Sequence, residues 1–206
     1  MNQDLYEGIC KGNRKLVIEL VEQEIADNCN PVELLMDSMI PAMRDVGDKF
    51  SRNEVFVPEM LIAARAMQAG LDLIEPKLTE AGHQPVARVV VGTVKGDLHD
   101  IGKNLVVMML KGAGFDVDDA GVDCDITKFQ ESVEAGSAAV CCSALLTTTM
   151  PYMKDVVDHF SDKETKVVIG GAPVTQAYCD EIGADGFANN ASDAVNAVAT
   201  SLGIAV

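Results

Sequence analysis

The stretch that decides the fold is Val94-Lys95-Gly96-Asp97-Leu98-His99-Asp100-Ile101-Gly102-Lys103-Asn104. An apolar run rich in β-branched residues precedes it and predicts a buried strand, while the apolar run at residues 105–110 predicts a helix. Asp97 and His99 therefore lie on a strand-to-helix loop, at the carboxyl edge of an open α/β sheet, where ligands bind. A histidine so placed can ligate a metal through one ring nitrogen while the other donates to the aspartate. The alternative is a solvated surface histidine beside an acid.

From residue 86 onward the pattern alternates between strands and helices. Strands are predicted near residues 87–93, 116–120, 138–143, 166–170 and 186–188, and helices near residues 102–113, 126–135, 150–160, 175–182 and 191–202. Five β–α units of this length predict an α/β domain of flavodoxin-like type, in which a doubly wound parallel five-stranded sheet carries helices on both faces.

Residues 1 to about 80 show helical patterns only. The first helix is predicted from Gln3 to Cys10, Asn13 and Asn30 are expected to cap the second and third, and the fourth begins near Pro58. Pro41 is expected to kink the third helix. Four helices with short connections predict an antiparallel four-helix bundle. The polar, breaker-rich linker at residues 81–85 marks the boundary between a bundle domain, residues 1–82, and the flavodoxin-like domain, residues 86–206.

The composition is that of a globular protein with an acidic surface. Hydrophobic residues make up 48%, and 32 acidic against 16 basic residues give a net charge of −16. Such a surface repels nucleic-acid phosphates and anionic lipid, so we expect neither nucleic acid nor membrane as a partner. The six cysteines form no Cys-x-x-Cys pair and the start shows no secretory signal, which favours the reducing cytoplasm.

The loops after the other strands carry small and hydroxylated residues. Residues 143–149 follow the third strand, Gly170-Gly171 follow the fourth, and Ala191 lies just after the last. Such loops let a large, flat or extended ligand approach the backbone. Two alternatives stay open: Gly170-Gly171 as a simple tight turn, and Thr149 as a helix N-cap.

Other chemistries fit these loops less well. A response-regulator receiver needs a phosphorylatable aspartate where the third strand ends in Ser143, and a nicotinamide fold needs a Gly-x-Gly-x-x-Gly motif. A hydrolase with Ser143 or Thr149 as its nucleophile would lack the nucleophile elbow and an evident oxyanion hole. Zinc is weakly supported, because the cysteines do not cluster with His99 in the sequence.

Three motifs together resemble the signature of cobalamin-binding domains. Asp97-x-His99-x-x-Gly102 is followed after 40 residues by Ser143-x-Leu145, and after 24 more by Gly170-Gly171. The segment around His99 is most similar to the methyl-transferring branch, namely methionine synthase and the small corrinoid proteins of anaerobic methyltransferase systems. The resemblance covers nearly the whole chain, because those proteins also carry a four-helix cap before the sheet domain.

The resemblance implies a bound cobalamin or related corrinoid in a base-off, histidine-on form. His99 would be the lower ligand of cobalt, Asp97 would hydrogen-bond its other ring nitrogen, and Thr149 would stand in for the family's relay serine. Phe50 and Val57 would cover the upper cobalt face. The residues implied to contact the cofactor are Phe50, Val57, Gly96, Asp97, Leu98, His99, Asp100, Ile101, Gly102, Ser143, Leu145, Thr147, Gly170, Gly171 and Ala191.

The function that the resemblance implies is methyl transport between two enzymes. Cobalt(I) would accept a methyl group on a donor-specific methyltransferase, and methyl-cobalt(III) would deliver it to a second methyltransferase acting on tetrahydrofolate or a thiol. A reductive activation protein is a further expected partner. The chain has no barrel large enough to bind a methyl donor, so we expect a carrier subunit and not a complete enzyme.

Two alternatives to the methyl carrier stay open. A cobalamin-dependent sensor would usually append a basic DNA-binding segment, against which the acidic composition counts. A small subunit of an adenosylcobalamin mutase would lack the helical cap. Methanol, methylamines, betaines and aryl methyl ethers all remain possible methyl donors.

Overall fold

Helices make up the first part of the computed structural model, which describes residues 1–204. Their bounds are α1 Gln3–Cys10, α2 Arg14–Ala26, α3 Pro31–Leu34, a π-helical segment Leu35–Met39, α4 Ile40–Ser51 and α5 Val57–Glu80. The chain divides into two compact units, one of Met1–Pro85 with the turn Lys111–Gly114, and a second of Val86–Leu110 with the chain from Phe115 onward. No helix within residues 1–204 is long and apolar enough to cross a membrane.

The third predicted helix is irregular next to Pro41. It consists of α3, the π-helical segment and α4 in direct succession, and the amide of Ile40 donates to the carbonyl oxygen of Leu35 across the wider turn. Proline has no amide hydrogen and its ring crowds the preceding turn, so a local departure from α-helical bonding is expected beside it. The expected irregularity thus takes the form of a π-helical segment just before Pro41.

The helical unit buries an apolar face from each long helix. The side chains involved share near-zero exposure and come from all four predicted helices: Leu5, Ile9, Val17, Val21, Met39, Met43, Met60, Met67 and Ile74. Methionine is unbranched and flexible, which suits the close filling of an irregular helical core.

The second unit contains a five-stranded parallel sheet in the order β2-β1-β3-β4-β5. The strands are β1 Arg88–Val94, β2 Asp116–Cys124, β3 Ala139–Ser143, β4 Lys166–Gly170 and β5 Gly186–Ala188. The helices are α6 Ile101–Gly112, α7 Ile126–Glu134, α8 Pro151–Phe160, α9 Gln176–Ile182 and α10 Ala191–Leu202. This order is that of the flavodoxin-like fold, so the predicted fold class is confirmed.

Strand β2 continues further than the sequence pattern indicated. It runs to Cys124 and not to residue 120, and its pairing with β1 shifts register on either side of Gly92. Only two of its nine residues, Val117 and Cys124, are buried, because β2 is an edge strand. An edge strand of this kind lacks the apolar alternation from which its end could be predicted.

The ends of the strands align the loops that follow them. Thr93 pairs with Ser143, Ser143 with Gly170, and Gly170 with Ala188. The loops after β1, β3, β4 and β5 therefore leave the sheet side by side at its carboxyl edge, where ligands bind in open α/β folds.

Candidate functional site

The loop between β1 and α6 carries Asp97 and His99. Gly96 adopts φ +82°, a conformation that favours glycine, and the amide of Asp97 donates to the carbonyl oxygen of Val94 at 3.1 Å. The hydroxyl of the buried Thr93 donates to the carbonyl oxygen of His99 at 2.8 Å. The loop is thus held to the end of the strand at both Asp97 and His99.

The imidazole of His99 lies between a carboxylate and a hydroxyl. Its Nδ1 is 2.8 Å from Oδ1 of Asp97, and its Nε2 is 3.0 Å from Oγ of Ser143. An ionised carboxylate only accepts hydrogen bonds, so the neutral ring carries its proton on Nδ1 and presents a lone pair at Nε2. Nε2 is therefore the nitrogen that can ligate a metal, and the Ser143 hydroxyl donates to it in this structure.

The carboxylate of Asp97 joins two loops. Besides His99, it contacts the loop after β3, where Oδ2 accepts from the amide of Leu145 at 2.8 Å, the amide of Leu146 at 3.3 Å and the hydroxyl of Thr149 at 2.8 Å. The side chain is 2% exposed. Burial alone raises the pKa of Asp97, but the hydrogen bonds from His99, Leu145 and Thr149 outweigh it and hold the pKa well below its usual range. Asp97 is therefore a buried partner of the histidine that is negatively charged at neutral pH.

Thr149 does not act as a helix N-cap. Helix α8 begins after Met150, which has no side-chain capping bond, while Oγ1 of Thr149 lies 2.8 Å from Asp97 Oδ2 and 2.9 Å from the carbonyl oxygen of Leu146. A hydroxyl has one hydrogen, so it donates to one of these oxygens at a time. The structure thus brings Thr149 to Asp97, and a relay by this hydroxyl stays a prediction.

Gly170-Gly171 lie against the loop after β3. The amide of Ala144 donates to the carbonyl oxygen of Gly170 at 3.2 Å. Gly171 adopts φ +126°, and a Cβ there would overlap the carbonyl oxygen of Ala144. The close approach of these two loops therefore requires glycine at position 171. Leu145 and Thr147 are exposed on the loop after β3. Ala191 is the first residue of α10.

Large apolar side chains face solvent around the histidine. Leu98 is 74% and Ile101 70% exposed on the loop of His99, and Leu145 and Leu146 are 48% and 49% exposed on the loop after β3. Gly96, Asp100 and Gly102 are also exposed, and a Cβ at Gly102 would meet no atom within 4 Å. An imidazole whose Nε2 lone pair becomes available when the Ser143 hydroxyl rotates away, among exposed apolar side chains, fits a large apolar ring that carries a metal. The residues present therefore fit a corrinoid.

Phe50 and Val57 belong to the helical unit. Phe50 lies in the last turn of α4, Val57 is the first residue of α5, and both are half-buried. Their predicted contact with the cofactor stays a prediction.

Three residues of the site were not identified from the sequence: Thr93, Leu146 and Asp123. The amide of Asp123 donates to the carbonyl oxygen of Asp97 at 3.0 Å, and the amide of Gly96 donates to Oδ1 of Asp123 at 2.7 Å. Thr93 could have been identified from the sequence, because the predicted strands align it with Ser143 at the edge of the sheet. Asp123 lies beyond the predicted end of β2, so no signal in the sequence pointed to it.

Comparisons with known proteins match both parts of the chain. Residues 87–199 match the family of the B12 binding domain, and residues 1–75 match a second family of the same description. A trimethylamine corrinoid protein of Methanosarcina mazei is 38% identical over 201 residues, covering 94% of this chain and 92% of its own length. A dimethylamine corrinoid protein of Methanosarcina acetivorans is 39% identical over 199 residues, covering 94% and 93%.

A solved structure has the same fold. The methanol:cobalamin methyltransferase complex MtaBC from Methanosarcina barkeri contains a chain with a TM-score of 0.85 and 26% identity, over 97% of this chain and 79% of that one. The matches cover the loop of His99, the loops of Ser143 and Gly170, and the helical unit. The chain therefore belongs to the B12-binding corrinoid proteins.

Proposed function

We propose that this chain is a corrinoid methyl carrier that works between two methyltransferases. The observation that carries the proposal is the imidazole of His99, whose Nε2 offers a lone pair while Nδ1 is bound 2.8 Å from the buried Asp97 carboxylate. A metal-ligating histidine needs such a partner, which fixes its tautomer and orientation and raises its basicity.

A bound corrinoid supplies the cobalt centre that accepts and gives up the methyl group. His99 would hold the corrinoid through Nε2, and Asp97 would keep the proton of the ring on Nδ1. The amides of Leu145 and Leu146 stabilise the negative charge of Asp97, so the carboxylate stays ionised as the ligand's basicity changes. The half-buried Thr149 hydroxyl, 2.8 Å from Asp97 Oδ2, relays a proton between solvent and the His99–Asp97 pair, with the Asp97 carboxylate ionised before and after the transfer.

The names of the relatives support a proposal for the partners. Two of them are named as trimethylamine and dimethylamine corrinoid proteins, and the structural neighbour belongs to a methanol:cobalamin methyltransferase complex. We therefore propose a donor-specific methyltransferase as the first partner, a tetrahydrofolate- or thiol-dependent methyltransferase as the second, and a reductive activation protein. In this arrangement residues 1–82 form the cap that carries Phe50 and Val57, residues 86–206 hold the cofactor, and the carrier works in the cytoplasm.

The proposal is tested by replacing His99. His99→Ala should leave the fold intact, change the visible spectrum of the cobalamin-loaded protein, and weaken cobalamin binding by about 10- to 100-fold, because the lower ligand is lost. Absorbance spectra and equilibrium titration with hydroxocobalamin measure both effects.

His159→Ala is the matched control for this test. His159 lies on the exposed side of α8, 2.8 Å from Gln130, so its removal should leave the spectrum and affinity unchanged. An unchanged spectrum in His99→Ala would exclude His99 as the ligand. Turnover after adding methyl donor and both partner enzymes would distinguish a carrier from a cobalamin-dependent sensor, which would show none.

A further inference from the structure

The last residues of β2 lie alongside the loop of His99 without belonging to the cofactor contacts proposed above. Asp123 makes two bonds to this loop: its amide donates to the carbonyl oxygen of Asp97 at 3.0 Å, and its Oδ1 accepts from the amide of Gly96 at 2.7 Å. One residue of β2 therefore fixes two consecutive residues of the loop, in addition to the contacts that the Asp97 carboxylate makes with residues 145–149.

The backbone of Asp123 is adapted to this double contact. Its φ is +50°, a left-handed conformation that aspartate and asparagine tolerate better than most other residues. The ammonium group of Lys128 lies 3.3 Å from the carbonyl oxygen of Val122 and 3.5 Å from that of Asp123. These contacts with Lys128 hold the left-handed backbone at Asp123 in place, so the Asp123 carboxylate stays directed towards the amide of Gly96.

The same strand also holds the far end of the loop. Lys103 lies in the first turn of α6, its side chain is 2% exposed, and its ammonium group is paired with the carboxylate of Asp119 in β2. A buried ammonium group is costly without such a partner. Because Asp119 also accepts from the amide of Gly121 at 3.0 Å, the pair is tied to the β2 backbone. The loop that contains His99 is thus anchored to β2 before and after the histidine.

We propose that Asp123 is a positioning residue for the cobalt ligand. It acts through the backbone of Gly96 and Asp97, which sets where the Asp97 carboxylate lies and thereby how the His99 ring is oriented. The inference rests on the proposed function, because a ligand must be held within about 0.5 Å of its productive position. The two hydrogen bonds between Asp123 and the loop are present in the protein without a corrinoid.

Two substitutions distinguish the hydrogen bond between Asp123 and Gly96 from the negative charge of Asp123. Asp123→Gly keeps the left-handed backbone accessible and removes the acceptor, whereas Asp123→Asn keeps an acceptor oxygen and the preferred backbone but removes the charge. In the cofactor-free protein, hydrogen exchange at the Gly96 amide should rise about tenfold in Asp123→Gly, which corresponds to the loss of about 1.4 kcal/mol, a typical hydrogen bond. Asp123→Asn should stay within about twofold of wild type.

Spectra of the cobalamin-loaded variants test the positioning itself. Asp123→Gly should lower the fraction of histidine-ligated cobalamin and weaken binding about tenfold, as removal of partners that orient a metal ligand does, and Asp123→Asn should restore both. Ile182→Val is the control for general destabilisation. Ile182 is a buried core residue at the end of α9, so the loss of one methyl group there should lower stability without changing the spectrum.

Several outcomes would overturn the inference. Wild-type spectra and binding in Asp123→Gly would mean that Asp123 does not position the ligand, and equal loss in Ile182→Val would mean that the effect is general destabilisation. A scalar coupling through the hydrogen bond, from the Gly96 nitrogen to the Asp123 carboxyl carbon, needs no variant, and its absence would contradict the contact even if Asp123→Gly failed to fold. If instead His99→Ala left the spectrum unchanged, the proposed function would fail, while the exchange measurement at Gly96 would still report on the contact.

Discussion

Asp97 is the residue on which the geometry of the site depends most. Its two oxygens accept from five donors: Nδ1 and the amide of His99, the amides of Leu145 and Leu146, and the hydroxyl of Thr149. Hydrogen bonds to a charged group are stronger than those between neutral groups. The same carboxylate therefore orients the histidine and ties the loop after β1 to the loop after β3. A substitution of Asp97 is expected to affect both cofactor binding and the stability of the fold.

Asp97→Asn should destabilise the protein in a pH-dependent way. Asparagine has one acceptor oxygen, so donors on one side of the group lose their partner, at a cost of about 1.5–3 kcal/mol near neutral pH. The folded-state pKa of Asp97 lies below its ordinary value, so its stabilisation is complete above that value, near pH 4, and is lost as the pH falls through the folded-state pKa. Urea unfolding of both proteins between pH 8 and pH 3 measures the difference.

The expected difference is constant from about pH 8 to about pH 5 and shrinks below about pH 4. Asp162→Asn, on an exposed turn after α8, is the control and should change stability by less than about 0.5 kcal/mol. A difference for Asp97→Asn that did not depend on pH would show that the charge of Asp97 contributes nothing and that only the shape of the side chain matters.

At the level of the elements, the alignment of strand ends builds the site. Thr93, Ser143, Gly170 and Ala188 pair in succession across β1, β3, β4 and β5, so loops far apart in sequence meet at one edge. The five strands and their parallel arrangement could be predicted because buried parallel strands are continuous apolar runs bounded by turn residues. The end of β2 and the contact of Asp123 could not, because Gly121 and Asp123 adopt left-handed conformations in an edge strand with no apolar alternation.

Gly171→Ala should disturb the contact between the loops after β3 and β4. Its φ is +126° and a Cβ would overlap the carbonyl oxygen of Ala144, so both backbone strain and a steric clash oppose the change. We expect a loss of more than about 3 kcal/mol in the free energy of unfolding, together with weaker cobalamin binding.

Gly183→Ala is the matched control for Gly171→Ala. Gly183 ends α9 with φ +75°, but a Cβ there meets no atom within 4 Å, so only the backbone strain of about 1–2 kcal/mol applies. Urea unfolding of the two variants therefore measures, as their difference, the clash with Ala144 together with the greater backbone strain at φ +126°. Equal losses would mean that the loop after β3 moves aside at little cost and that glycine is not required at position 171 for packing.

At the level of the whole molecule, the chain combines a helical unit and a sheet unit, each matched by its own B12-binding family. The two fold types could be predicted because helical and strand periodicities are local properties of the sequence. The roles of Phe50 and Val57 could not, since spacing along one chain segment carries no information on which surface a side chain covers. The predicted lid is therefore tested by its effect on the chemistry of the loaded protein.

Phe50→Ala should accelerate the loss of the methyl group in light. If Phe50 covers the bound corrinoid, its ring would slow the escape of a photolysed methyl group, and truncation of the ring to a methyl group would open the path to solvent. Phe56→Ala is the matched control, because Phe56 is in the same helical unit, six residues further on, and 63% exposed. Photolysis of the methylated protein, followed by absorbance, should be faster in Phe50→Ala only. Faster photolysis in both variants would assign the protection to the α4–α5 connection as a whole, and unchanged rates in Phe50→Ala would remove Phe50 as the lid.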